Sequence, residues 1–198
     1  MKRAPRSRQR HDLYAKYHDY DSEISDLLGE CGVQATLASV KAKIGMVPNL
    51  FATFAQSPAV LNAYLGFSDG LAAGALTGRQ REIVALAVAQ ANGCDYCLSA
   101  HTLMGKGAGL STDAIVAARH GRGSDPLDHA VASLAQALVE ARGQISDGEL
   151  AAARLAGLDD GRIVEIVAAV ALNTMTNVMN NLAHTDIDFP WVDRALAA

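Results

Sequence analysis

The chain reads as all-α, and three observations predict it. Alanine accounts for 37 of the 198 residues, and alanine is the best helix former while burying little area, so it favours helices packed at close range. Aromatic residues make up only 5% of the chain, and alternating runs of β-branched residues are scarce, which disfavours an all-β domain. Helix start and stop signals recur along the chain at regular intervals.

Taken in order, residues 1 to about 35 are charged, with Tyr14, Tyr17 and Tyr20 at spacing three and glycines at 29 and 32. They predict an N-terminal arm or short helix that packs on the body or on a neighbouring subunit, ahead of a helical domain over 36–198. Ser57-Pro58 is an N-cap followed by proline at the first helical position, and it opens a helix to about Gly74. Thr77 and Gln80 form a capping box for a helix that ends near Asn92-Gly93. Cys94 opens the next helix, which stops around Gly105 to Gly109. Ser111, Asp125-Pro126 and Ser146-x-x-Glu149 start three more. A last long helix, or two in line, begins after Asp159-Asp160 and runs to about His184, before a turn over Asp186 to Pro190.

The length suits one sizeable domain or two small ones, with a core that needs neither disulfide nor metal. Three cysteines are too few for a secreted disulfide framework, and the odd count fits a reducing, cytoplasmic compartment. Lys2, Arg3, Arg6, Arg8 and Arg10 crowd the first ten positions, but polar residues follow where a signal peptide would be apolar. The most apolar stretch, Ile163 to Leu172, is short and contains Glu165, against the roughly 20 apolar residues a membrane span needs. Outside the first ten positions 12 basic residues face 21 acidic ones, and so acidic a body is a poor partner for nucleic acid. Neither nucleic acid nor membrane is expected as a partner. The Gly105-Lys-Gly-Ala-Gly109 run lacks the spacing and terminal residues of a phosphate loop and reads as a helix C-terminus.

One internal repeat organises the rest. At an offset of 83 residues Gly78–Ala85 aligns with Gly161–Ala168 at six of eight identities, and Ala100-His101 aligns with Ala183-His184. Two copies of a helical unit are expected, about 77–104 and about 160–186, related by a pseudo-two-fold. The copies differ where it matters: Cys94 falls opposite Asn177, and Cys97 opposite Asn180. Asn177, Asn180 and Asn181 on an otherwise apolar helix predict an inter-helix or inter-subunit network, since buried amides need partners.

The chemistry-bearing constellation is Glu82, Cys94, Cys97 and His101. Cys-x-x-Cys at a helix start sets two thiols one turn apart, where unpaired N–H groups and the helix dipole favour a thiolate. His101, four residues after Cys97, shares their helical face and can take or return a thiol proton. Glu82 lies on the preceding helix, and a chain reversal at Asn92-Gly93 would bring its carboxylate over that face to orient His101. The same four side chains could instead supply a mixed zinc set. His184 matches His101 in the repeat and reads either as a hydrogen-bonded structural histidine or as a secondary member of a shared cleft.

The pattern Glu82-x11-Cys94-x2-Cys97-x3-His101 resembles that of the AhpD alkylhydroperoxidases, in the carboxymuconolactone decarboxylase superfamily. Gly45-Met-Val-Pro-Asn49, Asn173-Thr174 and the His184 to Pro190 ending are similar to its peroxidase-related branch, so the resemblance covers about residues 40 to 192. It implies an all-α AhpD-like fold with an internal repeat, assembled into trimers or hexamers. It also implies thiol peroxidase activity without a cofactor, on a small hydroperoxide and at the expense of a dithiol reductant. Cys97 would be the peroxidatic thiol and Cys94 the resolving one, an order that spacing leaves open, with Glu82 and His101 as a proton relay. One position departs: the best-studied members carry a histidine just before the second cysteine, where this chain has Tyr96, a phenol with an ordinary pKa of about 10 and hence a poor base. Two further classes stay open on the sequence, a non-catalytic redox or metal-responsive module and a decarboxylase-type enzyme.

Overall fold

The computed structural model describes residues 31–195, so positions 1–30 of the arm expected over 1–35 lie outside them. Among the described residues there are nine helices and no strand: α1 (Cys31–Ile44), α2 (Asn49–Phe54), α3 (Pro58–Ala72), α4 (Gly78–Ala91), α5 (Asp95–Gly107), α6 (Thr112–Arg119), α7 (Pro126–Glu140), α8 (Asp147–Leu155) and α9 (Asp160–Ala183). The fold is all-α.

The capping chemistry places the helix starts. Ser57, Ser111 and Asp125 each accept a backbone N–H with the side chain, and Asp159 caps α9 in the same way. Both capping boxes close reciprocally, Thr77 with Gln80 and Ser146 with Glu149. α9 is one unbroken helix of 24 residues, so the alternative of two in line does not hold. The helices α1 and α2 had no signal in the capping pattern. α1 opens without a described cap, and α2 follows Pro48, which provides no side-chain cap. α1 also runs through the division expected near residue 35, with Val33, Leu37 and Val40 buried along it.

α4 is the hub, packed against α5, α6, α7 and α9. Every residue from Ile83 to Ala89 is buried, and the alternating alanines in Ile-Val-Ala-Leu-Ala-Val-Ala let neighbours approach from all sides. Two apolar clusters meet along it. The first joins α4, α6, α7, α8 and α9 through Val84, Leu86, Ile115, Val131, Leu158 and Ile166. The second joins α1, α2, α3 and α5 and holds most of the packed aromatic rings, with Phe51 and Phe54 at its centre. Cys94 and Cys97 belong to this second cluster.

α9 corrects one expectation. Its 24 residues are long and apolar enough to cross a membrane by length and composition, whereas counting only Ile163 to Leu172 had found no such stretch. One face of it touches α2, α3, α4, α5 and α7, making it the second central helix of the bundle, while much of its apolar length stays unburied.

Candidate active site

The site grows from a two-residue break. Asn92 ends α4, Gly93 takes φ +63°, where a side chain would be strained, and Cys94 is extended at φ −96° and ψ 100° as the N-cap of α5. A cap is normally an oxygen. Here the Cys94 sulfur accepts the Cys97 N–H at 3.4 Å, which fixes the two cysteines one turn apart at the positive end of the helix. Both are free thiols, Cys94 fully buried and Cys97 2% exposed.

The two sulfurs are electrostatically unequal. A hydrogen bond from the Cys94 thiol pulls the Cys97 pKa down to about 6 against its burial, with His101 and the amides of Asn180 and Asn177 assisting. Cys94 is driven the opposite way, far above an ordinary thiol, by that same hydrogen bond, by burial and by the negative charge of Cys97. The direction of both shifts favours a thiolate at Cys97, where the Asn180 amide also donates to the sulfur at 3.3 Å, with Cys94 as its hydrogen-bond partner.

The chain reversal brings Glu82 to His101. Nδ1 of His101 lies 2.9 Å from Oε2 of Glu82, both side chains being largely buried. A carboxylate only accepts, so Nδ1 carries the proton and Nε2 is left to exchange one. Burial alone would lower the His101 pKa, but the charge and hydrogen bond of Glu82 outweigh it and hold the pKa above its ordinary value. The four predicted residues thus sit in one constellation. Among the described residues no three His, Cys, Asp or Glu side chains are grouped so as to hold a metal ion.

Tyr96 takes no place in the relay. Its ring packs edge-on to Phe189 with centroids 5.5 Å apart, and its hydroxyl accepts the Leu50 N–H at 3.3 Å. Burial, then the charge of Asp188, raise its pKa well beyond that of a free phenol. Tyr96 is a pin between α5, the start of α2 and the C-terminal segment. That segment meets the Gly45–Asn49 turn directly. Asp188 accepts the Asn49 N–H at 2.7 Å and the Asp186 carbonyl accepts from the Asn49 side chain at 2.9 Å, which supplies α2 with the cap that Pro48 cannot give. Arg194 then bonds Asp95 at 2.9 Å and the Gly93 carbonyl at 2.8 Å, while buried Arg119 binds the carbonyls of Asp193 and Arg194. The C-terminal segment is so latched across the start of α5.

His184 is placed elsewhere. It ends α9 in the left-handed conformation at φ 52° and is exposed, so the expected shared cleft does not include it as a buried partner of the thiols. Residues not anticipated as functional are close to the thiolate instead. Asn180 donates to the Cys97 sulfur at 3.3 Å, and the Cys97 thiol lies 3.9 Å from the Thr176 hydroxyl. Asn92 donates to the Asn177 carbonyl oxygen at 3.0 Å, and Asn181 donates to the Asn92 carbonyl at 3.1 Å, so the asparagines do form an inter-helix network. The one signal for this was the alignment of Asn177 and Asn180 with the two cysteines. Tyr64 of α3, stacked between Phe51 and Phe54 at centroid distances of 5.5 and 5.2 Å, has its pKa pushed up to about 12 by burial and by the charges of Cys97 and Glu82. Nothing in its sequence context marked it.

Comparison with known proteins bears on the family and the fold. The sequence model of the carboxymuconolactone decarboxylase family matches residues 58–140, which hold all four constellation residues. No curated protein matches the chain. Among solved structures, the chain is similar to an uncharacterized peroxidase-related protein from Ralstonia eutropha JMP134 described as an alkylhydroperoxidase AhpD core. The TM-score is 0.72 at 25% identity, over 79% of this chain and 85% of that one. A peroxidase-related protein from Silicibacter sp. TM1040 superposes with a TM-score of 0.70 at 23% identity, over 77% and 83% of the two chains. The debrominase Bmp8 shares the fold at 0.70 and 18% identity, over 84% and 89%. Residues 58–140 thus carry the sequence pattern of the carboxymuconolactone decarboxylase family, on an all-helical fold similar to that of AhpD-core, peroxidase-related proteins.

Proposed function

We propose that the chain is a thiol-dependent peroxidase that reduces hydrogen peroxide or organic hydroperoxides through Cys97 and Cys94. The observation that carries this reading is the geometry of two thiols one turn apart at the start of α5, the Cys97 sulfur accepting from Asn180 and an imidazole held by a carboxylate on the same helical face, with the Cys97 pKa drawn down and that of Cys94 driven up. The Cys97 thiolate attacks the terminal oxygen of the hydroperoxide. The O–O bond breaks, the sulfur is oxidised to sulfenic acid, and the departing alkoxide takes a proton from His101 to leave as alcohol or water. Cys94 gives its proton to the imidazole and attacks the Cys97 sulfur; the S–O bond breaks, the hydroxide leaves protonated as water, and a Cys94–Cys97 disulfide remains. An external dithiol reduces that disulfide by exchange, and a reducing, cytoplasmic compartment would supply such donors. The Glu82 carboxylate keeps His101 charged enough to serve as the acid.

A homo-oligomer fits the outer face of α9. Val164, Val167, Met175, Val178 and Leu182 recur there at helical spacing and are 67, 48, 37, 57 and 65% exposed, an apolar stripe suited to a second copy of the chain. The two aligned stretches are also read here as a true internal repeat. The bond between Cys97 and Asn180, 83 positions apart, is what a local two-fold between α5 and α9 would produce.

A second reading, a stoichiometric thiol switch, draws support from the burial of both sulfurs. Hydroperoxide loss, followed for wild type against Cys97→Ser with several dithiols, separates them. Turnover that needs Cys97 supports the peroxidase, whereas a single equivalent of oxidation with no turnover supports the switch. The likeness to the debrominase is one of fold, and halogenated aromatic compounds enter only as a control substrate in that assay.

A further inference from the structure

We infer that Asn180 is a catalytic residue and that, with Asn177, it forms a seat on α9 for the oxygen atom that hydroperoxide leaves on Cys97. The inference rests on the peroxidase reading and deepens it. Three atoms carry it. Nδ2 of Asn180 donates to the Cys97 sulfur at 3.3 Å. Oδ1 of the same amide is buried without a hydrogen-bond donor, and Nδ2 of Asn177, which helps hold the charge of Cys97, is buried without an acceptor at hydrogen-bond distance. Asn177 is fully buried and Asn180 is 4% exposed, so solvent does not reach either to satisfy them.

A buried amide atom without a partner is costly, and two of them within one turn of α9, both beside the same sulfur, need a reason. A bound neutral oxygen supplies it. A hydroxyl on sulfur is one donor and one acceptor, and the unpartnered pair is one acceptor and one donor. With Cys97 as thiolate, the Asn180 N–H holds the charge. As the S–O bond forms and the O–O bond breaks, the Asn177 N–H donates to the transferred oxygen and the Asn180 carbonyl oxygen accepts its O–H. The sulfenic acid is then held with its S–O bond fixed until Cys94 attacks the sulfur and the oxygen leaves as water. No electron or proton is required beyond those of the reaction already described. The two amides are preorganised because Asn177 is anchored through its own oxygen to Asn92 at 3.0 Å. The outer oxygen-bearing group of the substrate stays unspecified by this seat, which reads only the O–O–H end.

Asn180→Leu and Asn177→Leu are close in size and remove the amide without adding a charge beside the sulfur. In a Cys94→Ser background, the ionisation midpoint of Cys97, followed by thiolate ultraviolet absorbance with a Cys97→Ser blank, should rise by about one pH unit or more in each variant. Above the new midpoint the rate of sulfenic acid formation, trapped with dimedone, should stay about tenfold below that of the parent. A second measurement needs no substitution at either asparagine. In the Cys94→Ser protein the side-chain amide resonances of Asn177 and Asn180 should move with the Cys97 titration and again when peroxide is added. Midpoints unchanged in both folded variants, or amide resonances that ignore both events, would overturn the inference. If wild type fails to turn over hydroperoxide while the resonances follow Cys97, the peroxidase reading fails and the thiolate contact stands; turnover with silent amides sinks the seat alone.

Discussion

Two stretches of the molecule share a sequence frame and diverge in use. Residues 78–101, covering α4 and the start of α5, align at an offset of 83 with residues 161–184 of α9, yet the first is broken in two and the second is a single helix. Asn92-Gly93 sits opposite Met175-Thr176. Because the first pair stops the helix and the second lets it continue, Cys94 becomes an N-cap at a fresh helix start, while Asn177 is an interior side chain. Two further matched pairs show the consequence. Glu82 binds His101, whereas Glu165 accepts the N–H groups of Ala75 and Leu76 at 2.8 and 2.9 Å and so ties down the turn before α4. His101 lies inside α5, whereas His184 caps the end of α9 and faces solvent. The lesson is that the apolar frame is a scaffold and the break is where the reactivity is made.

The sharpest way to break this comparison is to move the sulfurs. Cys97→Ser should take hydroperoxide turnover below detection, and Cys94→Ser should leave one trappable sulfenic acid per chain. Asn177→Cys with Asn180→Cys, placed in a chain that lacks Cys94 and Cys97, should not restore turnover, because α9 offers those positions no unpaired N–H and no helix end. Recovered turnover in that quadruple variant would show that the break is not the source of reactivity.

Next in size is the pair of carboxylates. Glu82→Gln should cut turnover about a hundredfold while barely changing thermal stability, since it removes the charge that raises His101. Glu165→Gln should do the reverse, leaving turnover intact and lowering stability by about 1–3 kcal/mol through the loss of two charge-assisted hydrogen bonds. Steady-state assays and denaturant melts on both variants check the exchange of roles.

The pH profile is smaller in range and tests the ordering of the thiols. With the Cys97 pKa near 6, turnover should be flat through neutrality and fall about tenfold per pH unit as pH drops below about 6. The upper limb belongs to His101, whose pKa is raised, so activity is lost only as pH climbs past the ordinary histidine range. In Glu82→Gln that upper limb should move down while the acid limb holds. An acid limb near an ordinary thiol pKa would reverse the assignment of thiolate and donor.

Much of this was legible in the sequence, for identifiable reasons. Caps and capping boxes are local, so Ser57, Thr77, Ser111, Asp125, Ser146 and Asp159 could each be read from a few neighbours, and the Cys94, Cys97 and His101 face followed from helical spacing. The approach of Glu82 was readable because one turn separates the helices. The asparagine contact with Cys97 was not, since it joins residues 83 positions apart and amides at helical spacing look like any polar interruption. The contacts of Tyr96 were not legible either, because its partners Leu50, Asp188 and Phe189 come from opposite ends of the chain. The α2 start lacked a signal for the same reason: its cap is Asp188, 139 residues away from Asn49.

The smallest effects concern the backbone of the break itself. Gly93→Ala should cost about 1–2 kcal/mol, because a side chain at φ +63° is strained and its Cβ would run into the Arg194 guanidinium. That guanidinium bonds the Gly93 carbonyl and Asp95, so it must shift, and with it the latch of the C-terminal segment over α5. The sulfurs should then react faster with a bulky thiol reagent than in wild type. At the aligned position Thr176→Ala brings no backbone strain, since Thr176 is helical and its hydroxyl donates within its own helix to the Asn173 carbonyl, and its cost of about 1 kcal/mol comes from the buried methyl and hydroxyl it removes. Thiol labelling should rise less in Thr176→Ala than in Gly93→Ala, because the latch over α5 stays closed. Equal labelling at 93 and 176 would mean that the break is incidental to how the thiols are covered, and the contrast between the two stretches would have to be sought in the side chains alone.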